Sequence, residues 1–178
     1  MEERLIIVTG PESSGKTTLS RQLAERLGGM WVPEYPRGFL EATGQPVSID
    51  DFSHFGQAND NLVEAAFAQL KRQDRDLGYV IQDTGHEVLW LWMEDKFGSA
   101  SPEIARSFEQ QRPWRYVLCT PDLPWVPDPL REDPQRREFL HAQLRQLLNA
   151  QGANPIEVSG FGESRATEAL KALTRRDL

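Results

Sequence analysis

Lys16 and Thr17 stand together behind two glycines, in the order Gly10-Pro11-Glu12-Ser13-Ser14-Gly15-Lys16-Thr17. Glycines at both ends of such a loop let the backbone curl without a Cβ in the way, so that successive N–H groups point inward as an anion-binding nest. An ammonium on a flexible stem can then reach the outer phosphates of a nucleotide, and the hydroxyl beside it can ligate Mg²⁺. The pattern G-x-x-x-x-G-K-[ST] therefore predicts a grip on the polyphosphate of ATP with magnesium. Pro11, Glu12, Ser13 and Ser14 supply the loop, and Thr18 is expected at the α-phosphate. The four fixed positions match by chance in roughly 4 of 100,000 windows, or on the order of one per cent over a chain of this length.

Other residues could complete a phosphoryl-transfer site. Asp83 ends the apolar run Tyr79-Val80-Ile81-Gln82-Asp83, at the end of a strand where open α/β sheets bind ligands. There it could hold Mg²⁺ or orient an acceptor hydroxyl; the alternative is a helix N-cap for the segment starting at Thr84. Glu34 follows a second short strand and could bind acceptor hydroxyls or act as general base, or be a solvated loop carboxylate. Arg37 could hold a phosphate or a substrate group, or pair with Glu41 one turn on. Arg131, Arg136 and Arg137 cluster after a proline-rich stretch. Developing charge on a transferring phosphoryl group needs a cation, often from a lid. Arg131 is expected to supply it, with Arg136 and Arg137 as solvated helix surface. Phe161 comes after the last strand, where it could pack on adenine or plug a loop.

Some residue types point away from chemistry. His54, His86 and His141 lack metal-ligand spacing; His86, three residues after Asp83, could touch substrate, but reads first as a cap or surface residue. Cys119 is the single cysteine; it lies in an apolar run, so it reads as a small buried hydrophobe in a reducing compartment. Trp90 and Trp92 cannot face the same way on one helix, so one is expected in the core and the other on the floor of a pocket.

The elements that must position these residues alternate between strand and helix, which predicts an α/β fold with a mainly parallel sheet. Strands are expected at Leu5–Thr9, Met30–Val32, Tyr79–Asp83, Arg115–Cys119 and Pro155–Ser159. Helices are expected at Lys16–Leu27, about Asp51–Gln73, Glu87–Lys96, from Ser101-Pro102 to about Gln110, from Asp133-Pro134 to about Asn149, and at about Glu163–Thr174. In the long second helix Phe52, Phe55, Asn59, Leu62, Val63, Ala66, Phe67 and Leu70 share one face, with Asn59 read as a partly exposed end of the stripe. Four prolines between Thr120 and Pro129 exclude regular structure there. Together with the arginines just beyond, they mark a lid at about 122–137.

The 178 residues carry a net charge of −7. That suits one domain, 1–178, and provides no global basic field for nucleic acid or an anionic membrane. No apolar run approaches spanning length and the N-terminus leads straight into the first strand, so a cytoplasmic protein is expected. The sequence is silent on oligomeric state.

The segments Gly10–Thr18, Trp31-Val32-Pro33-Glu34-Tyr35-Pro36-Arg37, Asp83-Thr84 and Pro121-Asp122-Leu123-Pro124-Trp125-Val126-Pro127-Asp128-Pro129-Leu130-Arg131 together resemble the ribosylnicotinamide kinase domain of bacterial NadR proteins and the P-loop ATPase/kinase-like group around it. The resemblance spans nearly the whole chain in order. It implies a nucleotide-kinase-like P-loop core, with a five-stranded parallel sheet of order 2-3-1-4-5 and helices on both faces. It also implies ATP-dependent phosphorylation of the 5′-hydroxyl of nicotinamide riboside, a small-molecule acceptor. By that resemblance Glu34, Tyr35 and Arg37 lie on the acceptor side, Asp83 lies by Mg²⁺ and the ribose, and Arg131 belongs to the lid. Three positions depart from the family: Gly85 replaces the second acid of D-T-D, Pro36 replaces a small residue, and Asp128-Pro129 replaces Asp-Gly. The general base is thereby left among Asp83, Glu34 and Glu87. NadR proteins also carry DNA-binding and adenylyltransferase regions absent here, so a stand-alone kinase, or a relative with a shifted substrate, is expected.

Overall fold

Strand β1 (Leu5–Thr9) is buried at every residue, as a near-continuous run of β-branched and aliphatic side chains demands when both faces of a parallel sheet are covered. It leads through the phosphate loop into α1 (Lys16–Arg26), and then come β2 (Met30–Val32), α2 (Tyr35–Thr43) and α3 (Asp51–Arg72). The rest of the chain runs β3 (Val80–Asp83), α4 (His86–Phe97), α5 (Pro102–Gln110), β4 (Arg115–Cys119), α6 (Arg137–Ala150), β5 (Ile156–Val158) and α7 (Gly162–Arg175). This computed structural model describes residues 4–44, 47–75, 78–111, 113, 115–129 and 134–175.

The strands form one parallel sheet in the order β2-β3-β1-β4-β5, as the resemblance implies. Alternation along β1 sends Ile6 and Val8 toward α1 and α7, where they meet Leu19, Leu23, Ala166 and Leu173. Leu5 and Ile7 pack on the other face with Ala66, Leu70, Phe108 and Leu148. The register Val8↔Asp83 and Thr9↔Leu118 brings the ends of β1, β3 and β4 to one edge. The phosphate loop and the irregular strap after β4, residues 120–129, leave the sheet there. No described helix is long and apolar enough to cross a membrane.

Most expected elements are present, with some corrections. Helix α2 was not foreseen; Glu34 stands at its N-cap, and Pro36 occupies the first turn, where a missing N–H costs nothing. The sixth helix starts at Arg137 and not at the expected Asp133-Pro134 cap; Asp133 itself lies outside the described residues. Asn59 is buried beside the core and is not an exposed end of its stripe. His86 is likewise buried, with Nε2 2.8 Å from Asp60 Oδ1, because α5 and α3 cover the start of α4.

Candidate active site

Gly15 is where the phosphate loop becomes a helix. It caps α1 at φ 80, a left-handed backbone that glycine adopts without penalty. A Cβ there would also stand 2.7 Å from Leu123 Cδ1 of the strap, a side-chain end that would have to shift, so it is the backbone conformation that calls for glycine. Lys16 then opens α1, where unpaired amides and the helix dipole favour an anion.

Asp83 lies across from this helix start. The Thr17 hydroxyl bonds its carboxylate, and Lys16 is its strongest electrostatic neighbour. Burial pushes the Asp83 carboxyl up, and Lys16, Thr17 and Thr84 oppose that rise. The N-cap reading of Asp83 is excluded, since Gly85 caps α4. Thr84, between them, is held at φ 72. For a β-branched residue this is a strained conformation, costing on the order of 1–3 kcal/mol. Its N–H donates to Val8 O at 3.0 Å and its hydroxyl lies 3.3 Å from Asp83 Oδ1.

A cleft of about 470 Å³ opens from the loop. Gly10, Pro11, Glu12, Lys16 and Glu34 form its polar end; Leu40, Val88, Leu91, Trp92 and Leu144 form its apolar walls, and Asp95 and Lys96 line it further out. Trp92 thus faces the cleft, whereas Trp90 packs edge-on against Phe108 in the core. The Glu34 carboxyl is pushed up by burial and by the nearby charges of Asp83 and Glu12, against the pull of Lys16 and Arg37. Lys16, Thr17, Asp83 and Glu34 therefore form one constellation.

Other expected site residues lie elsewhere. The Tyr35 hydroxyl bonds His54 Nε2 at 2.8 Å and its ring meets Phe55, so it braces α2 on α3 and is absent from the cleft lining. Arg37 does pair with Glu41, at 2.9 Å, and also with Asp128, at 2.6 Å; it borders a smaller hollow with Glu12, Ser13, Thr17 and Glu34. Thr18 is exposed beyond the loop, and the Phe161 ring is 78 % exposed after β5. Arg131 lies outside the described residues. Glu87 is fully buried and its Oε1 accepts the Gly85 N–H at 3.0 Å. It is not among the residues that line the cleft.

Arginines supply what the sequence pattern missed. Arg137 is not solvated helix surface: its Nη2 donates to Pro121 O at 2.7 Å and Leu123 O at 2.8 Å, with Ser13 O at 3.5 Å. The strap is further tied to the loop by the Ser13 hydroxyl, which accepts the Val126 N–H at 2.9 Å. Arg136 reaches back to Asp95 of α4 at 2.5 Å. Buried Arg165 donates to Gly160 O, Thr120 O and Val158 O at 3.0, 3.1 and 3.2 Å and lies 3.4 Å from Asp122 Oδ1. It thereby fastens the loops after β4 and β5 together. Its signal in the sequence was its place on the stripe Arg165, Ala166, Ala169, Leu173.

The sheet order, the loop leading into α1 and the acid at the end of β3 define a P-loop protein of the nucleotide-kinase-like fold. The chain belongs to the AAA domain family, whose model matches residues 5–165. No curated protein sequence matches it. Among solved structures it is similar to NadR protein in complex with NR, with a TM-score of 0.78 and 21% identity, over 97% of this chain and 51% of that one. NadR protein in complex with NAD and AMP-PNP aligns with a TM-score of 0.74 and 20% identity, over 97% of this chain and 49% of that one. This chain therefore spans about half the length of those NadR structures. Thymidylate kinase from Ehrlichia chaffeensis aligns with a TM-score of 0.64 and 15% identity, over 95% of this chain and 97% of that one.

Proposed function

We propose that this protein is an ATP-dependent kinase of a small nucleoside-type acceptor, with nicotinamide riboside as the first candidate. The observation that carries the reading is the cleft that begins at Lys16 and Glu34 and continues along apolar walls with Trp92. A polar end beside the phosphate loop suits a sugar hydroxyl, and an aromatic wall suits a planar base. The NadR structure holding NR supports the choice of acceptor.

The loop amides and Lys16 bind and orient the triphosphate. The residues present fit a magnesium ion: Thr17 and Asp83 would hold it beside the loop, and when bound it neutralises charge on the phosphates. In the transfer itself the acceptor oxygen bonds to the γ-phosphorus, the bond to the β–γ bridging oxygen breaks, and ADP leaves. The hydroxyl proton passes to a carboxylate, Glu34 or Asp83. Glu34 suits the role because its raised pKa lies closer to working pH than that of a solvated acid. Arg131, of the lid segment 122–137, would meet the charge developing on the transferring group, and Phe161 would lie on the adenine side. The reading places the reaction in the cytoplasm, within one domain.

The test is ³¹P NMR of protein, MgATP and nicotinamide riboside, with other nucleosides as controls. A phosphomonoester signal growing with ADP is expected for nicotinamide riboside. A phosphomonoester on another nucleoside alone moves the substrate. Slow release of inorganic phosphate that no nucleoside stimulates replaces the kinase with an ATP-hydrolysing regulatory module.

A further inference from the structure

The strained turn that aims Asp83 is held from the far side of the sheet. Asp83 points toward α1, while Gln82 and Thr9 are buried on the opposite face, and Glu87 and Gln111 meet them there. Glu87 Oε1 accepts the Gly85 N–H at 3.0 Å, and Gln111 Oε1 accepts the His86 N–H at 3.2 Å. Two backbone donors that α4 leaves unpaired at its start are thus satisfied by the side chains of buried Glu87 and half-buried Gln111. The fit is close: a Cβ at position 85 would stand 2.5 Å from Glu87 Oε2 and 2.9 Å from Gln111 Oε1. The space beside Gly85 is occupied by a carboxyl belonging to residue 87.

Such an arrangement is costly unless it serves something. Burying a carboxyl in this polar cluster favours its neutral form, and the left-handed Thr84 adds strain. An apolar side chain at 87 would avoid the first cost and leave the Gly85 N–H buried without its acceptor. We propose that Glu87 is a positioning residue: by bonding Gly85 it fixes the left-handed Thr84, and that turn sets Asp83 against Thr17. Relaxation of Thr84 to an ordinary φ would rotate the peptide next to Asp83. It would break the hydrogen bond from the Thr84 N–H to Val8 O and swing the carboxylate off the loop.

This inference rests on the reading of Asp83 and Thr17 as the magnesium side of an ATP site. Its test therefore includes a binding readout independent of turnover. Calorimetry measures the ATP dissociation constant with and without Mg²⁺ for the parent protein, Glu87→Gln and Glu87→Ala, beside thermal unfolding and steady-state kinetics. The expected result for Glu87→Ala is unchanged metal-free ATP affinity, loss of most of the gain that Mg²⁺ confers, and kcat lower by about tenfold or more at little-changed KM for ATP. Glu87→Gln keeps an acceptor for Gly85 in a neutral side chain and is expected to restore most of both. If Glu87→Ala does not fold, Glu87→Met, which keeps the volume without the acceptor, takes its place. The proposal is overturned if the alanine or methionine variant keeps the parent's Mg²⁺ gain, or if Glu87→Gln loses as much as Glu87→Ala. A parent with a Mg²⁺ gain but no transfer to any acceptor overturns the kinase reading and leaves this one standing on the binding data.

Discussion

Arg37 Nη2 lies 2.6 Å from Asp128 Oδ2. That contact joins α2, after the second strand, to the strap after the fourth, from opposite sides of the phosphate loop. The bond to Asp128 is the chief reason the Arg37 guanidinium is held above its ordinary pKa. The pair is partly open to solvent, with Arg37 39% and Asp128 17% exposed. Its direct coupling should therefore be small, about 0.5–1 kcal/mol. Arg37→Ala and Asp128→Ala should each raise KM for the acceptor a few-fold, and the double variant should be little worse than either single one. A double-mutant cycle on kcat/KM checks this, and strictly additive losses would show that the contact does not close the site.

The Glu34 carboxyl has a pKa above 4.5 in the folded protein because burial disfavours its charge. As pH rises, the unfolded chain releases this proton first, so Glu34 favours folding fully at low pH and that contribution is lost as pH rises through the folded value. Glu34→Gln should thus raise Tm at neutral pH, by an amount that shrinks toward zero below about pH 4.5. If Glu34 is the base, the same variant lowers kcat by about 100-fold or more. Thermal melts across pH, paired with kinetics, check both parts; a neutral variant less stable than its parent at pH 7 contradicts the burial argument.

Arg131 and Arg137 should separate kinetically. Arg131→Ala is expected to reduce kcat by about 1,000-fold with ATP affinity little changed, as for a cation that meets only the transition state. Arg137 bonds strap carbonyls, so Arg137→Ala should instead weaken ATP binding and leave kcat within several-fold. Steady-state kinetics with direct ATP titration distinguish the two, and an equal kcat loss in both variants would merge their roles.

The parts legible in the sequence were those with short-range causes. The glycine spacing before Lys16, the apolar runs of β1, β3 and β4, and the cap Ser101, whose side chain does accept the Ile104 N–H, are each decided within a few residues. Several side-chain environments have long-range causes. The Tyr35 hydroxyl is held by His54, from another helix. Arg137 looked like surface because its partners, Pro121 and Leu123, belong to a strap with no regular pattern. His86 and Asn59 are covered by helices whose placement no local pattern encodes.

The chain by itself determined that a phosphate nest sits between a strand and a helix, because a backbone curl and a helix start depend only on neighbouring residues. It also determined the parallel α/β order, through the alternation of buried strands with amphipathic helices. Tertiary structure alone decided which carboxylates face the loop and which support it. Asp83, at the end of β3, and Glu87, in the first turn of α4, are four residues apart, and burial, strain and the space beside Gly85 give them different surroundings.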